Sequence, residues 1–146
     1  VHPERIAHEN DARVKRLTGK IDAVLVDAPC TGSGTLRRNP DLKWRMSPAA
    51  VDELVAKQSA ILASAARLPK PGGRLVYGTC SLLPEENEGV VDRFIAAHPG
   101  WTLLSAPEIL ARQGVESIGD GPYLKLLPHV HGTDGFFGAV LERPAA

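Results

Sequence analysis

Between residues 21 and 79 the sequence reads as strand, helix, strand, and that order leaves little freedom in how it folds. Ile21–Asp27 (IDAVLVD) is an apolar run of strand length that ends in an acid, the pattern of a strand buried on both faces. A loop rich in Gly, Pro and Arg runs from Ala28 to Met46. Ser47-Pro48 then supplies an N-cap and a proline at the first helical position. Val51, Leu54, Val55, Gln58, Ile61, Leu62, Ala65 and Leu68 form one helical stripe with a single polar member, so a helix is expected from Pro48 to about Leu68. Pro69–Gly73 (PKPGG) is a turn, and Arg74–Thr79 (RLVYGT) is a second buried strand. Parallel strands need a crossover connection, which this helix provides. An α/β layer with a mainly parallel sheet follows.

The remaining chain continues the alternation. Pro84–His98 starts with a proline and acids suited to a helix N-terminus and buries Val90, Val91, Phe94 and Ile95. Trp101–Leu104 is a third strand candidate and Pro107–Gln113 a short helix. Tyr123–Leu127 and Phe136–Glu142 are strands joined by the loop PHVHGTDG, which allows an antiparallel pair at one sheet edge. The 146 residues contain no internal repeat and no linker, so they form one unit. Seventeen basic residues balance seventeen acidic ones. That balance argues against a nucleic-acid coat protein but leaves room for a local basic patch. No apolar run reaches membrane-spanning length. Two cysteines without an export signal point to reduced thiols in the cytoplasm. Val1 stands where a start methionine would be, and a piece of a longer protein is expected.

Ligands of open α/β sheets bind beyond the carboxyl ends of the strands. Cys30 and Cys80 each lie just past a strand. If those strands are neighbours, about 5 Å apart, both thiols open into one site. A single free cysteine is commonly a small buried hydrophobe. Two at matching strand ends, with Asp27 close by, make a site the better reading. Arg37, Arg38, Lys43 and Arg45 follow the first cysteine as a basic cluster, placed for phosphate contacts beside that site. Gly32 and Gly34 carry no dinucleotide or P-loop pattern, and a flexible loop gating the site is expected there. Pro84, Glu85, Glu86 and Asn87 receive a structural role as a helix start. His129 and His131 are read as loop residues, and no metal site is expected. Asp134-Gly135-Phe136 reads as a tight entry into a strand.

DAPCTGSGTLRRNPDLKW (residues 27–44), VYGTCSLLPEENEGVVDRF (residues 76–94) and HGTDGFF (residues 131–137) together resemble the Sun-type family of RNA cytosine-C5 methyltransferases. The resemblance covers nearly the whole chain. It implies a partial class I S-adenosylmethionine (SAM) methyltransferase sheet, Rossmann-like, mostly parallel with an antiparallel C-terminal edge pair. It also implies SAM as cofactor and RNA as partner, rRNA ahead of tRNA. Cytosine C5 is a poor nucleophile, so the family's chemistry begins with a thiolate adding at C6. By that pattern Cys80 is the nucleophile, Cys30 assists product release, and Asp27 hydrogen-bonds the cytosine edge. Spacing alone does not choose between the thiols, because DNA cytosine methyltransferases use the cysteine of the Pro-Cys motif.

The family's glycine-rich SAM loop and its N-terminal RNA-binding region have no counterpart before residue 21. Residues 1–146 therefore read as the C-terminal part of the catalytic domain. Asp11, Asp27 and Pro29 are the cofactor-binding candidates, Asp11 because Asp11-Ala12 resembles the family segment that approaches the adenine. The chain alone is expected to be inactive. A catalytically silent RNA-binding or structural module, and a fragment of a DNA cytosine-C5 methyltransferase, remain alternatives.

Overall fold

The computed structural model describes residues 1–116, 118 and 121–145. A short helix α1 (Ala12–Lys15) precedes strand β1 (Ile21–Asp27). Two 3-10 turns, Ser33–Thr35 and Pro40–Trp44, shape the loop that follows. Helix α2 (Pro48–Ala65) crosses over to strand β2 (Pro69–Thr79), and helix α3 (Glu88–Ala97) leads to β3 (Thr102–Leu104). Helix α4 (Ala106–Ala111), strand β4 (Leu124–Leu126), helix α5 (Pro128–His131) and strand β5 (Phe136–Glu142) complete the order.

The sequence signals act as local physics requires. Ser47 caps α2, its hydroxyl accepting from the Ala50 N–H at 3.2 Å, with Pro48 at the first helical position. Ser105 caps α4 in the same way. β2 begins earlier than expected, at Pro69. The PKPGG segment stays in the strand because the β1–β2 register shifts there, and Gly72 and Gly73 bond the Arg143 backbone. PHVH forms a helical turn rather than open loop, with His131 Nδ1 accepting from the Leu127 N–H at 2.9 Å.

β1 pairs parallel with β2, and β2 pairs antiparallel with β5. On its far side β5 pairs antiparallel with both β3 and β4. Four strands thus point one way and only β5 is reversed. The expected antiparallel pairing of the last two strands is present at this side of the sheet, with β5 the inner member of the pair. It lies between β2 and the β3/β4 side. Phe137, Ala139 and Leu141 are essentially sealed from water, a burial an edge strand would not give them.

One face of the sheet carries the core. Val24 and Val26, Leu75 and Tyr77, and Phe137, Ala139 and Leu141 align across β1, β2 and β5. They pack against Leu62, Ala65 and Ala66 at the end of α2 and Val90, Val91 and Phe94 of α3. Each fully buried large side chain contributes about 1.5–3 kcal/mol of transfer free energy. The opposite register holds Leu25, Val76 and Val140. Leu25 is 72% exposed on the outer strand. β1 therefore presents an open, partly apolar edge, the expected place for further strands or self-association.

Candidate active site

The two cysteines meet. Ala28 continues the β1–β2 ladder, its N–H bonding the Gly78 carbonyl at 2.9 Å, so the chain leaves both strands at the same level. Cys30 Sγ and Cys80 Sγ end 3.4 Å apart, both half-buried and both free thiols. Burial pushes the Cys30 thiol up from its ordinary 9.0 to about 12, with the adjacent Cys80 reinforcing the shift. Cys30 thus holds its proton at neutral pH and can share it with the Cys80 sulfur.

The loops carrying these thiols are fixed from below. Glu86 is fully buried and forms no ion pair among the described residues. Its Oε1 accepts from the Thr31 N–H at 2.9 Å and from Gln58 Nε2 at 3.0 Å. Its Oε2 accepts from the Thr31 hydroxyl at 2.6 Å and from the Ser81 hydroxyl. Asn87 accepts from the Thr79 hydroxyl at 2.5 Å and donates to the Ser81 carbonyl at 2.8 Å. The PEEN segment was expected only to open a helix, yet α3 begins at Glu88. Glu86 and Asn87 precede it, in a turn where their side chains reach both cysteine loops. The sequence signal was available: polar residues inside a motif between two apolar elements, where a solvent-facing helix start would tolerate many others.

The TGSG loop is also not the flexible gate expected of it. Residues 31–34 are buried. The Gly34 N–H donates to the Cys80 carbonyl at 2.9 Å, and the Gly34 carbonyl accepts from the Gly135 N–H at 2.8 Å. A Cβ on Gly34 would lie 2.6 Å from the Gly135 carbonyl oxygen and 2.7 Å from that of Cys80. Glycine is there because three backbones meet. Asp134, read earlier as turn chemistry, also forms an ion pair with Arg38.

Asp27 ends β1 with an exposed carboxylate. It borders an open hollow of about 280 Å³, whose apolar walls include Ile6, Val14, Val24 and Ile61 and whose rim includes Glu9. Apolar walls suit a purine, and two carboxylates suit hydroxyl or amine donors. At this volume the hollow is smaller than the roughly 300 Å³ of ordinary ligand pockets, too small to enclose a whole nucleoside-sized ligand. Pro29 is exposed at the same strand end, its carbonyl accepting from Gln58 Nε2 at 2.9 Å. Asp11 lines a neighbouring hollow with Arg5, Ala7 and Arg13. Its carboxylate caps α1, and the Arg13 and Ala7 N–H groups hold its pKa below the usual range.

The basic cluster divides in two. Arg38 pairs with Asp134 and Arg45 with Asp41, whereas Arg37 and Lys43 form no ion pair among the described residues. Trp44, 80% exposed, stands among them with Lys43 Nζ 4.8 Å from its ring centre. The basic neighbours Lys43 and Arg45 are the sequence signal that marks this tryptophan. Among the described residues no group of three His, Cys, Asp or Glu could hold a metal ion. None of the helices is long and apolar enough to cross a membrane.

The chain is similar to known proteins along most of its length. A family model described as "16S rRNA methyltransferase RsmB/F" matches residues 3–142. A Synechocystis sp. protein named "Probable ribosomal RNA small subunit methyltransferase B" is 46% identical over 124 residues, 84% of this chain and 27% of that protein. The "Ribosomal RNA small subunit methyltransferase B" of Sodalis glossinidius is 42% identical over 118 residues, 81% of this chain and 25% of its own length. The chain thus spans about a quarter of the relatives it matches. The crystal structure of NSun6 from Pyrococcus horikoshii with SFG, a SAM analogue, superposes with a TM-score of 0.65 at 29% identity, covering 91% of this chain and 33% of that one.

Proposed function

The chain belongs to the 16S rRNA methyltransferase RsmB/F family, and on that premise we propose that the protein methylates cytosine C5 in RNA, rRNA ahead of tRNA, through a covalent cysteine adduct. The observation that carries this reading is the pair of thiols 3.4 Å apart at the carboxyl ends of adjacent parallel strands. The Cys80 thiolate adds to C6, forming the S–C6 bond and moving the C5=C6 electron pair toward C5 and N3. Asp27 would hydrogen-bond the base edge and steady the charge near N3. SAM, held on one flank by Asp27 and Pro29, with Asp11 near the adenine, would supply the electrophilic methyl group. After C5 takes the methyl, its proton leaves to a base, the double bond re-forms, and the S–C6 bond breaks. Cys30, kept protonated by burial, can hydrogen-bond the departing Cys80 sulfur. That is a physical route by which it would assist release.

Arg37 and Lys43 are the cations best placed for RNA phosphates, with Arg38 and Arg45 already neutralised by acids. Trp44 offers a face on which a neighbouring base could stack. On this reading a chain of these 146 residues supplies one flank of the SAM site and is inactive by itself, and the protein works in the cytoplasm.

The test uses the whole protein with labelled RNA and SAM on denaturing gels. Cys80→Ala should abolish both methylation and the covalent adduct. Cys30→Ala should still attack and transfer the methyl group, then fail to release, so the adduct accumulates. Reversed behaviour would assign the nucleophile to Cys30, as in DNA enzymes. If neither substitution changes methylation, the thiols are packing residues and the silent-module alternative replaces this reading.

A further inference from the structure

Each cysteine is flanked by two residues, and all four are tied to one buried network. Before Cys30, the Pro29 carbonyl accepts from Gln58 Nε2. After it, both the N–H and the hydroxyl of Thr31 donate to Glu86. Before Cys80, the Thr79 hydroxyl donates to Asn87. After it, Ser81 donates its hydroxyl to Glu86 and lends its carbonyl to Asn87. The sheet does not make these ties. β1 and β2 end at Asp27 and Thr79 and Ala28 makes the last ladder bond, so both thiols sit on loops just past the sheet.

Two features of the network cost stability. Burying a carboxylate without a cation is unfavourable unless its oxygens are saturated by donors, and here four donors converge on them. Gln58 gives its amide N–H groups to Pro29 and Glu86, and its Oε1 is left buried with no partner. An orphan acceptor of this kind is destabilising, because it gives up hydrogen bonds to water without replacing them. An apolar plug of the same volume would avoid both costs, but it would not tether two loops from different strands to one point. Tyr77 secures that point, its hydroxyl donating to the Glu86 carbonyl at 2.7 Å.

We infer that Glu86 is a positioning residue: with Gln58 and Asn87 it sets the separation and mutual aim of the Cys30 and Cys80 thiols. This goes beyond the assignment of the thiols themselves and rests on the proposed function only for its catalytic consequence. The physical claim is that the two sulfurs are held at contact distance by a carboxylate that touches neither.

The test compares wild type, Glu86→Gln and Glu86→Ala in the whole protein, with melting curves confirming a folded state. The first readout needs no RNA. Diamide, an azo oxidant, is reduced to its hydrazine as the two thiols lose two protons and two electrons to form a disulfide. Its rate relative to alkylation of a single thiol reports how the pair is held. Glu86→Gln keeps size and half the acceptor capacity, and should slow pair oxidation about tenfold; Glu86→Ala should slow it further. The second readout is steady-state methylation. A displacement near 1 Å costs about 100-fold in rate, so kcat should fall between about tenfold and 100-fold while KM for RNA stays within threefold. The glutamine variant should recover part of the alanine variant's loss. Wild-type pair oxidation in a folded Glu86→Ala protein overturns the inference. So does a failure of even Glu86→Gln to fold, which would make the carboxylate a folding requirement only. If the cysteine substitutions leave methylation intact, the proposed function fails, yet pair oxidation still tests the positioning role.

Discussion

Gly34→Ala is a one-methyl perturbation placed where the structure has no room for it. The added carbon would lie 2.6 Å from the Gly135 carbonyl oxygen, 2.7 Å from the Cys80 carbonyl oxygen and 2.8 Å from Gly135 Cα. All three are backbone atoms, so no side chain can swing aside. The loop must separate from the Cys80 strand end or from the Asp134-Gly135 turn. Separation strains or breaks two hydrogen bonds, Gly34 N–H to Cys80 and Gly135 N–H to Gly34, each contributing about 1 kcal/mol. Overpacking adds about 1–3 kcal/mol. The total is about 3–5 kcal/mol, which for a unit of this size lowers Tm by roughly 10–15 °C. Differential scanning calorimetry and urea titration of the whole protein measure it. Gly72→Ala is the control: Gly72 has open space around it and a left-handed φ of 72°. It should cost only the backbone strain, about 1–2 kcal/mol. A Gly34→Ala protein that melts within 3 °C of wild type would refute the packed-loop account and restore the flexible gate.

Two further outcomes follow from the electrostatics. Cys30 has its pKa raised from 9.0 to about 12, so its contribution to stability is complete below pH 9 and is lost as the pH climbs toward 12. Discounted for its partial exposure, the loss is on the order of 1–2 kcal/mol, visible as a steeper alkaline fall in urea midpoint for wild type than for Cys30→Ala. Peptide mapping after iodoacetamide treatment at pH 8 should leave Cys30 unmodified; rapid labelling there would contradict the buried-thiol picture. For the cations, Arg37→Ala and Lys43→Ala should each weaken RNA binding and reduce the salt slope by about 1. Arg38→Ala and Arg45→Ala should do less, because Asp134 and Asp41 already hold those guanidiniums. Equal slopes for all four variants would show that the ion pairs do not persist in solution.

How far the sequence could be read depended on the range of the interaction. The α2 start was legible because Ser47-Pro48 is a local cap, and the β1–α2–β2 crossover because apolar runs and helical spacing are local too. That the two thiols would share a site followed from strand-end logic, which needs only that β1 and β2 be neighbours. The position of β5 was not legible: its alternation is the same at an edge or inside, and only its partners on both sides distinguish the cases. Gly34 was misread because glycine permits both freedom and close approach, and the atoms that crowd it come from residues 80 and 135. Glu86 was misread for a related reason. An acid before a helix is explained by the helix dipole alone, and its four donors lie on three other segments of the chain.

The site therefore has two sides built on different principles. On the thiol side every restraint is internal: α2 supplies Gln58, the turn before α3 supplies Glu86 and Asn87, and the turn before β5 supplies Gly135. Residues between positions 29 and 135 converge on Cys30 and Cys80, so the pair's geometry is a property of this fold. On the Asp27 side the opposite holds. The hollow is open, Leu25 beside it is 72% exposed, and the outer edge of β1 has no strand against it among the described residues. Restraints there are few, and whatever binds against Asp27 must be held largely by other surfaces. The same division separates the two halves of the proposed chemistry. Thiol attack and release at C6 draw on the closed side, methyl supply draws on the open one, and Asp27 would serve both. Pair oxidation and alkylation by small reagents report on the closed side without RNA or SAM, whereas methyl transfer demands both sides at once.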